Sequence, residues 1–387
     1  MELANQQAQA ADLVGAWLKN RDKPYFYLGG FAGTGKTTIA KYLMGLQDGD
    51  CAVAAYTGKA ASVLNKKGLP ASTIHSLIYK VSRPDDQVLE SFKKRMAAAK
   101  GPALEELKKE LKEYVRPKFT LNEESPLYEV DLIIIDEVSM VGEEMGKDLL
   151  SFHVPILVLG DPGQLPPVTG EGFFTSGDPD FLLTEIHRQA AGNPIINLAA
   201  HVRKGNALRA GAYGSSKVVF KTKFEPSAYE VYDQVICGRN ATRKTTNSLI
   251  RDRFNRISSQ PEVGEKIICL RNNKDIGILN GTQWYVTKVD DAGIYLDLEI
   301  LDELTSEKKP LTISTHPFDA DLPNMFYRDR QRFEEFDFGY AITCHKSQGS
   351  QWPKVLIHNE SWCFRENSAK WLYTALTRAE EQVLVCL

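Results

Sequence analysis

Along residues 5–19 the apolar positions recur at helical spacing, with Ala10, Leu13, Val14, Trp17 and Leu18 on one face. That spacing predicts an amphipathic helix. The period then changes. Tyr25-Phe26-Tyr27-Leu28, Val53-Ala54-Ala55-Tyr56, Leu132-Ile133-Ile134-Ile135 and Ile156-Leu157-Val158-Leu159 are short apolar runs, as expected of strands buried on both faces. Helical stretches over Thr38–Met44 and Lys59–Leu64 separate the first of them. Strands alternating with helices predict a parallel sheet and an α/β fold.

Between about Val81 and Glu129 the pattern becomes helical. Val88, Leu89, Phe92 and Met96 fit one face, and Leu104, Leu107, Leu111 and Tyr114 another, with Lys100-Gly101-Pro102 as a breaker between them. Glu105 with Lys109 and Lys109 with Glu113 stand at i,i+4 on a solvated face. A helical hairpin inserted in the first sheet domain is expected. Leu77-Ile78-Tyr79-Lys80-Val81 and Lys118-Phe119-Thr120-Leu121 flank it as legs of a β-hairpin, with the helices at or beyond its tip. Asn193–Arg203 reads as another amphipathic helix, with Pro194 in its first turn and Gly205 past its end. Val235-Ile236-Cys237 opens a second sheet. After Pro261, Lys266–Leu270, Gln283–Val289 and Gly293–Ile300 are strand-like runs joined by Asn-Gly and Asp-Asp-Ala-Gly turns, the texture of a small inserted barrel. Helical and strand patterns resume near Phe336.

The chain has 387 residues, 43% apolar and 25% charged, with a formal net charge of −3. This is the composition of a globular protein with more than one core. So small a net charge neither favours nor excludes a polyanionic partner, because local patches decide that. No signal peptide or membrane-spanning run is legible, and a cytoplasmic setting is expected. Six cysteines lie scattered without C-x-x-C spacing, so reduced thiols are expected rather than a disulfide framework or zinc site.

Chemistry enters at residues 30–37. Gly-Phe-Ala-Gly-Thr-Gly-Lys-Thr matches the phosphate-binding loop G-x-x-x-x-G-K-[ST] at every fixed position, between a strand-like and a helix-like run. Gly33 and Gly35 let backbone N–H groups close on phosphate oxygens. The following helix N-terminus adds partial positive charge. Lys36 reaches the β- and γ-phosphates, and Thr37 offers a hydroxyl to Mg²⁺. Asp136 and Glu137 follow four apolar residues at the carboxyl end of a buried strand, the edge where ligands bind in parallel sheets. Asp136 suits Mg²⁺. Glu137 suits deprotonation of an attacking water, which points to hydrolysis. At the edge Leu159-Gly160-Asp161-Pro162-Gly163-Gln164, Gln164 is placed to sense the γ-phosphate and Asp161 to serve the metal or water shell.

With these residues the chain resembles the superfamily 1B helicases, near the RecD family and the phage Dda-type helicases, over nearly its whole length and with the motifs in family order. Leu3, Gln7 and Ala10 match the adenine-reading Q motif. Gly30–Thr37 is motif I and Thr57-Gly58-Lys59-Ala60-Ala61 resembles motif Ia. Ser72-Thr73-Ile74-His75 resembles the next strand-contacting motif. Asp136-Glu137-Val138-Ser139-Met140 is motif II, Gly160–Val168 motif III, and Leu183–Arg188 resembles motif IV. Ala341–Gly349 is motif V and Tyr373–Ala379 motif VI. Asn280-Gly281 before a strand resembles the family's accessory SH3-like domain.

The resemblance implies two RecA-like P-loop NTPase domains with parallel sheets. It assigns 1–80 and 129–190 to the first and 191–263 and 334–387 to the second. A pin or helical hairpin (81–128) is inserted in the first and a small SH3-like β-barrel (264–333) in the second. It implies ATP and Mg²⁺ as cofactors. Gln7, Gly30, Gly33, Thr34, Gly35, Lys36, Thr37, Thr38 and Gly349 would bind ATP, and Thr37 and Asp136 the metal. Lys36, Glu137, Gln164, Arg188 and Arg378 would be catalytic, the two arginines closing on the γ-phosphate from the second domain. Thr57, Lys59, His75, Asn240, Thr343, His345 and Lys346 would contact DNA. Phe119 is the candidate for separating strands, with an ordinary core role left open.

The implied activity is ATP-dependent 5′→3′ translocation on single-stranded DNA with duplex unwinding. The implied partners are single strands, duplex junctions and replication or recombination proteins, around a monomeric core. Two alternatives remain: a translocase or RNA-directed motor with little unwinding, and a P-loop switch or scaffold. The chain ends just after motif VI, so no further nuclease or regulatory domain is expected.

Overall fold

The protein is described by a computed structural model covering residues 3–46, 49–82, 84–115, 118–168, 170–185, 192–273, 275–291, 295–318 and 332–387. The chain clusters into two compact units. One comprises residues 1–75, 126–257 and 338–387, the other 76–125 and 258–337.

The first unit holds two six-stranded sheets. One runs Ala71–Thr73, Cys51–Ala55, Leu132–Asp136, Ile156–Gly160, Tyr25–Gly30, Phe181–Leu183, every neighbour parallel. Leu132, Ile133, Ile134 and Ile135 are each fully buried, contributing about 2 kcal/mol apiece from apolar burial. Ala10, Val14 and Trp17 of the helix Asn5–Asn20 join Phe26, Leu28, Ile39 and Leu43 in the core on one face. Three adjacent strands, Leu132–Asp136, Ile156–Gly160 and Tyr25–Gly30, therefore deliver the acid pair, the Gly-Asp-Pro-Gly-Gln loop and the phosphate loop to one edge.

The second sheet runs Ala341–Thr343, Gln234–Cys237, Trp352–His358, Ala379–Cys386, Ser216–Val219, Gly211–Tyr213. It is parallel except for its last pair. Here too the carboxyl ends of neighbouring strands gather motif residues: Thr343 lies beside Cys237, and Ile236 beside Ile357.

In the other unit, Tyr79–Ser82 pairs antiparallel with Lys118–Leu121, and the helices Asp86–Ala98 and Pro102–Tyr114 lie between the two strands in sequence. Leu89, Phe92, Leu107 and Leu111 bury one another. Val88, expected on that inner face, is exposed. Lys108 pairs with Glu105 and Arg95 with Glu110 on the solvated side of these helices. Leu77 and Ile78, expected in a strand, end the helix Ile74–Ile78, and Ile78 is fully buried there. The Asn122 N–H bonds the Ile78 carbonyl and Ser125 Oγ bonds the Leu77 carbonyl. Those bonds draw the flanks of the hairpin into its unit, which takes in residues 76–125.

A five-stranded sheet follows, ordered Lys308–Ser314, Tyr295–Asp302, Gln283–Asp291, Lys266–Cys269, Phe336–Phe338. Lys308–Ser314 escapes a sequence reading because Pro310 interrupts it. The strand lies at the sheet edge, where a missing N–H is tolerated. Among the described residues, no helix is long and apolar enough to cross a membrane.

Candidate active site

Gly33 and Gly35 have φ of 80° and 79°, the left-handed region that glycine enters without strain. They wrap the loop so that Lys36 Nζ donates to the Gly30 carbonyl at 2.6 Å and reaches the Phe31 carbonyl at 3.4 Å. Thr34 supports the loop from behind. Its side chain is buried and donates to the Phe31 carbonyl at 2.8 Å. Its own carbonyl accepts from Gln7 Nε2 at 3.3 Å.

A cavity of 320 Å³ opens over this loop, lined by Gly33, Gly35, Lys36, Thr37 and Thr38, by Asp136, Glu137 and Gln164, and by Gly349 and Arg378 of the second sheet. A larger cavity of 840 Å³ near Pro194, His201, Arg209 and Tyr213 holds none of these groups, so size does not mark the site. Gly349 permits the two sheets to approach: a Cβ there would lie 2.6 Å from Ala60 Cβ.

Burial raises the Asp136 carboxyl above the usual range, with Glu137 adding to the effect and Lys36 opposing it. Asp136 Oδ1 accepts the Glu137 N–H at 2.8 Å. Glu137 sits at φ 54°, a strained position for a side-chain-bearing residue, costing ~1–3 kcal/mol and typical of functional sites. Gln164 is buried, and its Oε1 has no hydrogen-bond partner among the described residues.

Arg378 is 4% exposed. Its guanidinium bonds the Thr374 and Ser350 carbonyls and the Thr377 hydroxyl at 3.1–3.2 Å, and no carboxylate pairs with it among the described residues. A buried cation facing a phosphate-loop cavity suits a polyanion.

Other expected residues fall differently. Arg188 lies outside the described residues. Gln7 is buried, does not line the cavity, and spends its amide on the Ala4 N–H and the Thr34 carbonyl. It braces the loop. Gln6 instead holds the chain at 184–185, accepting from both N–H groups at 2.9 Å. Asp161, expected near the metal, has Oδ1 on the Gly163 N–H and Oδ2 on the Tyr373 hydroxyl, and it does not line the cavity.

Of the expected DNA contacts, Lys59 is corrected by its burial. It is 3% exposed with its ammonium 5.3 Å from the Trp352 ring centroid, which removes it from a phosphate-tracking surface. Thr57 caps the helix Gly58–Lys66 by accepting the Ala60 N–H at 3.1 Å. His75 is half-buried edge-on to Tyr56. Thr343, His345 and Lys346 are half-buried and Asn240 is exposed, at the carboxyl ends of adjacent strands of the second sheet. Burial lowers the pKa of both His75 and His345, so both tend to be neutral donors at physiological pH. Phe119 is 48% exposed on the hairpin beside Tyr79, which excludes an ordinary core role.

An AAA domain family model matches residues 2–221, and a UvrD-like helicase C-terminal domain model matches residues 338–386. The chain is 29% identical over 393 residues to the ATP-dependent RecD2 DNA helicase of Deinococcus radiodurans, covering 92% of this chain and 46% of that protein. It is 28% identical over 301 residues to the ATP-dependent DNA helicase dda of Enterobacteria phage T4, covering 72% and 56%. The chain thus spans about half the length of these curated relatives. Among solved structures, its fold is similar to a Bacteroides Pif1 helicase in complex with ADP-AlF3 and ssDNA, with TM-score 0.61 and 21% identity over 100% of this chain and 92% of that one. It is also similar to the Candida albicans Pif1 helicase, with TM-score 0.56 and 18% identity over 100% and 94%. The AAA domain model takes in more than half of the chain, and the chain belongs to that family; its motif order is similar to that of the superfamily 1B helicases of the RecD and Dda type.

Proposed function

We propose that this chain hydrolyses ATP to move 5′→3′ along single-stranded DNA and to unwind duplex DNA. The observation that carries the reading is the cavity in which Lys36, Asp136, Glu137 and Gln164 of the first sheet meet Arg378 of the second. A simple nucleotide switch has no need of an unpaired arginine supplied from a second sheet. A motor needs one, because closure of the two sheets then couples to hydrolysis.

In this reading Lys36 leaves the loop carbonyls for the β- and γ-phosphates. Glu137 takes a proton from the attacking water, which Gln164 orients through its unpartnered oxygen. Arg378, with Arg188 as the second arginine implied by the resemblance, stabilises charge on the transferred phosphoryl. The residues present fit Mg²⁺: a hydroxyl on Thr37 and a buried carboxylate on Asp136, with phosphate and water completing the oxygen shell. That ion would offset phosphate charge when bound.

Thr57, His75, Asn240, Thr343, His345 and Lys346 are assigned to the single strand, Phe119 to strand separation, residues 81–128 to the pin and 264–333 to an SH3-like domain. The partners are single-stranded DNA and duplex junctions, and the working unit is a monomer. The test combines ATP hydrolysis with DNA or RNA oligomers and unwinding of duplexes bearing a 5′ or a 3′ tail. Stimulation by DNA with unwinding from the 5′ tail is expected. Preference for RNA, or hydrolysis indifferent to nucleic acid, overturns the assignment.

A further inference from the structure

We infer that Trp362 is a stacking platform for a base of single-stranded DNA, held in place by Arg239. This rests on the proposed single-strand path and adds to it a residue outside every motif.

Of the five tryptophans, Trp17, Trp284, Trp352 and Trp371 are at most 4% exposed, whereas Trp362 is 65% exposed. It contributes nothing to a core. The Arg239 guanidinium lies 5.4 Å from its ring centroid, and Arg239 is itself fixed. Its Nε donates to Glu360 Oε1 at 2.7 Å and its Nη2 pairs with the same oxygen at 2.6 Å. Glu360 is 2% exposed. Its Oε2 accepts the Gly238 and Arg239 N–H groups at 2.8 and 2.9 Å, and its Oε1 accepts the Thr242 hydroxyl at 2.6 Å. So many charge-assisted bonds to one buried carboxylate leave Arg239 little freedom. One side of the indole is braced and the ring remains open to solvent.

The location favours a nucleic acid. Arg239 and Asn240 follow the strand Gln234–Cys237, Trp362 follows Trp352–His358, and Thr343 closes Ala341–Thr343. These strands are parallel neighbours in register, so all three segments leave the same sheet edge. Phe364 ties the Trp362 turn to that edge, with its ring 5.8 Å from His345 and stacked 5.6 Å from Trp371. An exposed aromatic beside a cation matches the two components of sequence-tolerant single-strand binding, base stacking and backbone attraction. A duplex keeps its base faces covered and cannot use the ring.

The test measures binding of a fluorescein-labelled thymidine oligomer to the full chain at several salt concentrations. Trp362→Ala should weaken binding about 5- to 100-fold, the range for one base–aromatic stack. The dependence on salt should keep its slope, because stacking releases no counterions. Trp362→Phe should recover most of the loss. An abasic site moved along the oligomer should weaken wild-type binding at one position, and Trp362→Ala should be blind to it there. Wild-type affinity with an unchanged abasic profile in Trp362→Ala overturns the inference. A wild-type chain that binds no single-stranded DNA overturns the proposed function, and the inference with it.

Discussion

Tyr373 and Asp161 join the second sheet to the first: the Tyr373 hydroxyl donates to Asp161 Oδ2 at 2.7 Å and accepts the Ala32 N–H of the phosphate loop at 3.1 Å. Burial and the Asp161 charge push the Tyr373 pKa far up, so the hydroxyl stays protonated as the donor. Close by, the Leu165 N–H bonds Thr374 Oγ1 at 2.8 Å, and Gln348 Nε2 bonds the Leu165 carbonyl at 2.9 Å. The loop carrying Gln164 is thus held on both sides by the sheet that supplies Arg378.

Tyr373→Phe keeps the ring and removes this link. Leaving Asp161 short of one partner should cost about 1–3 kcal/mol of stability. DNA-stimulated turnover should fall more than hydrolysis without DNA, since the link lies between sheets rather than on phosphate. Steady-state kinetics with and without DNA read the difference. Equal loss of both activities would make the hydroxyl a matter of stability alone.

Lys36→Ala should abolish ATP hydrolysis, with kcat down at least ~100-fold as for other lost transition-state donors. Among the described residues its bonds run to the Gly30 and Phe31 carbonyls, so thermal stability should change by no more than about 1 kcal/mol. A melting curve and a phosphate-release assay on one preparation decide it. A folded variant with normal turnover would refute the phosphate-loop assignment.

Glu137→Gln keeps the shape of the side chain and removes its basicity. ATP and single-stranded DNA should bind nearly as in the wild type, while turnover falls at least ~100-fold, the scale of general-base catalysis. Loss of nucleotide binding instead would mark the carboxylate as structural.

The groups that line the phosphate-loop cavity were legible in the sequence because their spacing is local. A glycine loop and two acids after an apolar strand declare themselves within eight residues or fewer. The Tyr373–Asp161 bond spans 212 positions, and nothing near either residue announces the other. Motif position also does not report exposure. Lys59 stands where a DNA contact is expected, yet the fold lays it on Trp352. Gln7 stands where adenine is read, yet its amide is spent on the chain itself. The hairpin helices were readable from their apolar spacing, whereas the edge strand Lys308–Ser314 was hidden by Pro310.

His358 makes stability depend on pH. Its Nε2 is 2.9 Å from the Tyr229 hydroxyl and its ring lies against Phe224. Burial, reinforced by Lys221 and opposed by Glu360, lowers its pKa from 6.5 to about 4. The unfolded chain therefore takes up a proton first as pH falls. The stabilisation is fully present above pH 6.5 and is lost progressively toward pH 4, by up to ~3 kcal/mol. His358→Gln should flatten melting temperature against pH between these limits. An unchanged slope would place the acid sensitivity elsewhere.

The helices Asp86–Ala98 and Pro102–Tyr114 should serve strand separation and not hydrolysis. Their buried residues Leu89, Phe92, Leu107 and Leu111 cluster with one another, so removing both helices opens no other core. The two hairpin strands hold each other through their own register, Tyr79 with Leu121 through Ser82 with Lys118. Replacing residues 84–116 by a short Gly/Ser linker should then leave a folded protein whose hydrolysis still responds to single-stranded DNA, with unwinding of tailed duplexes reduced. Phe119→Ala should act in the same direction more weakly, since that ring is exposed on the retained strand. If the helices instead brace the nucleotide-binding unit, hydrolysis and melting temperature should fall together with unwinding. Both activities and the melting temperature, measured on one deletion variant, separate the two roles.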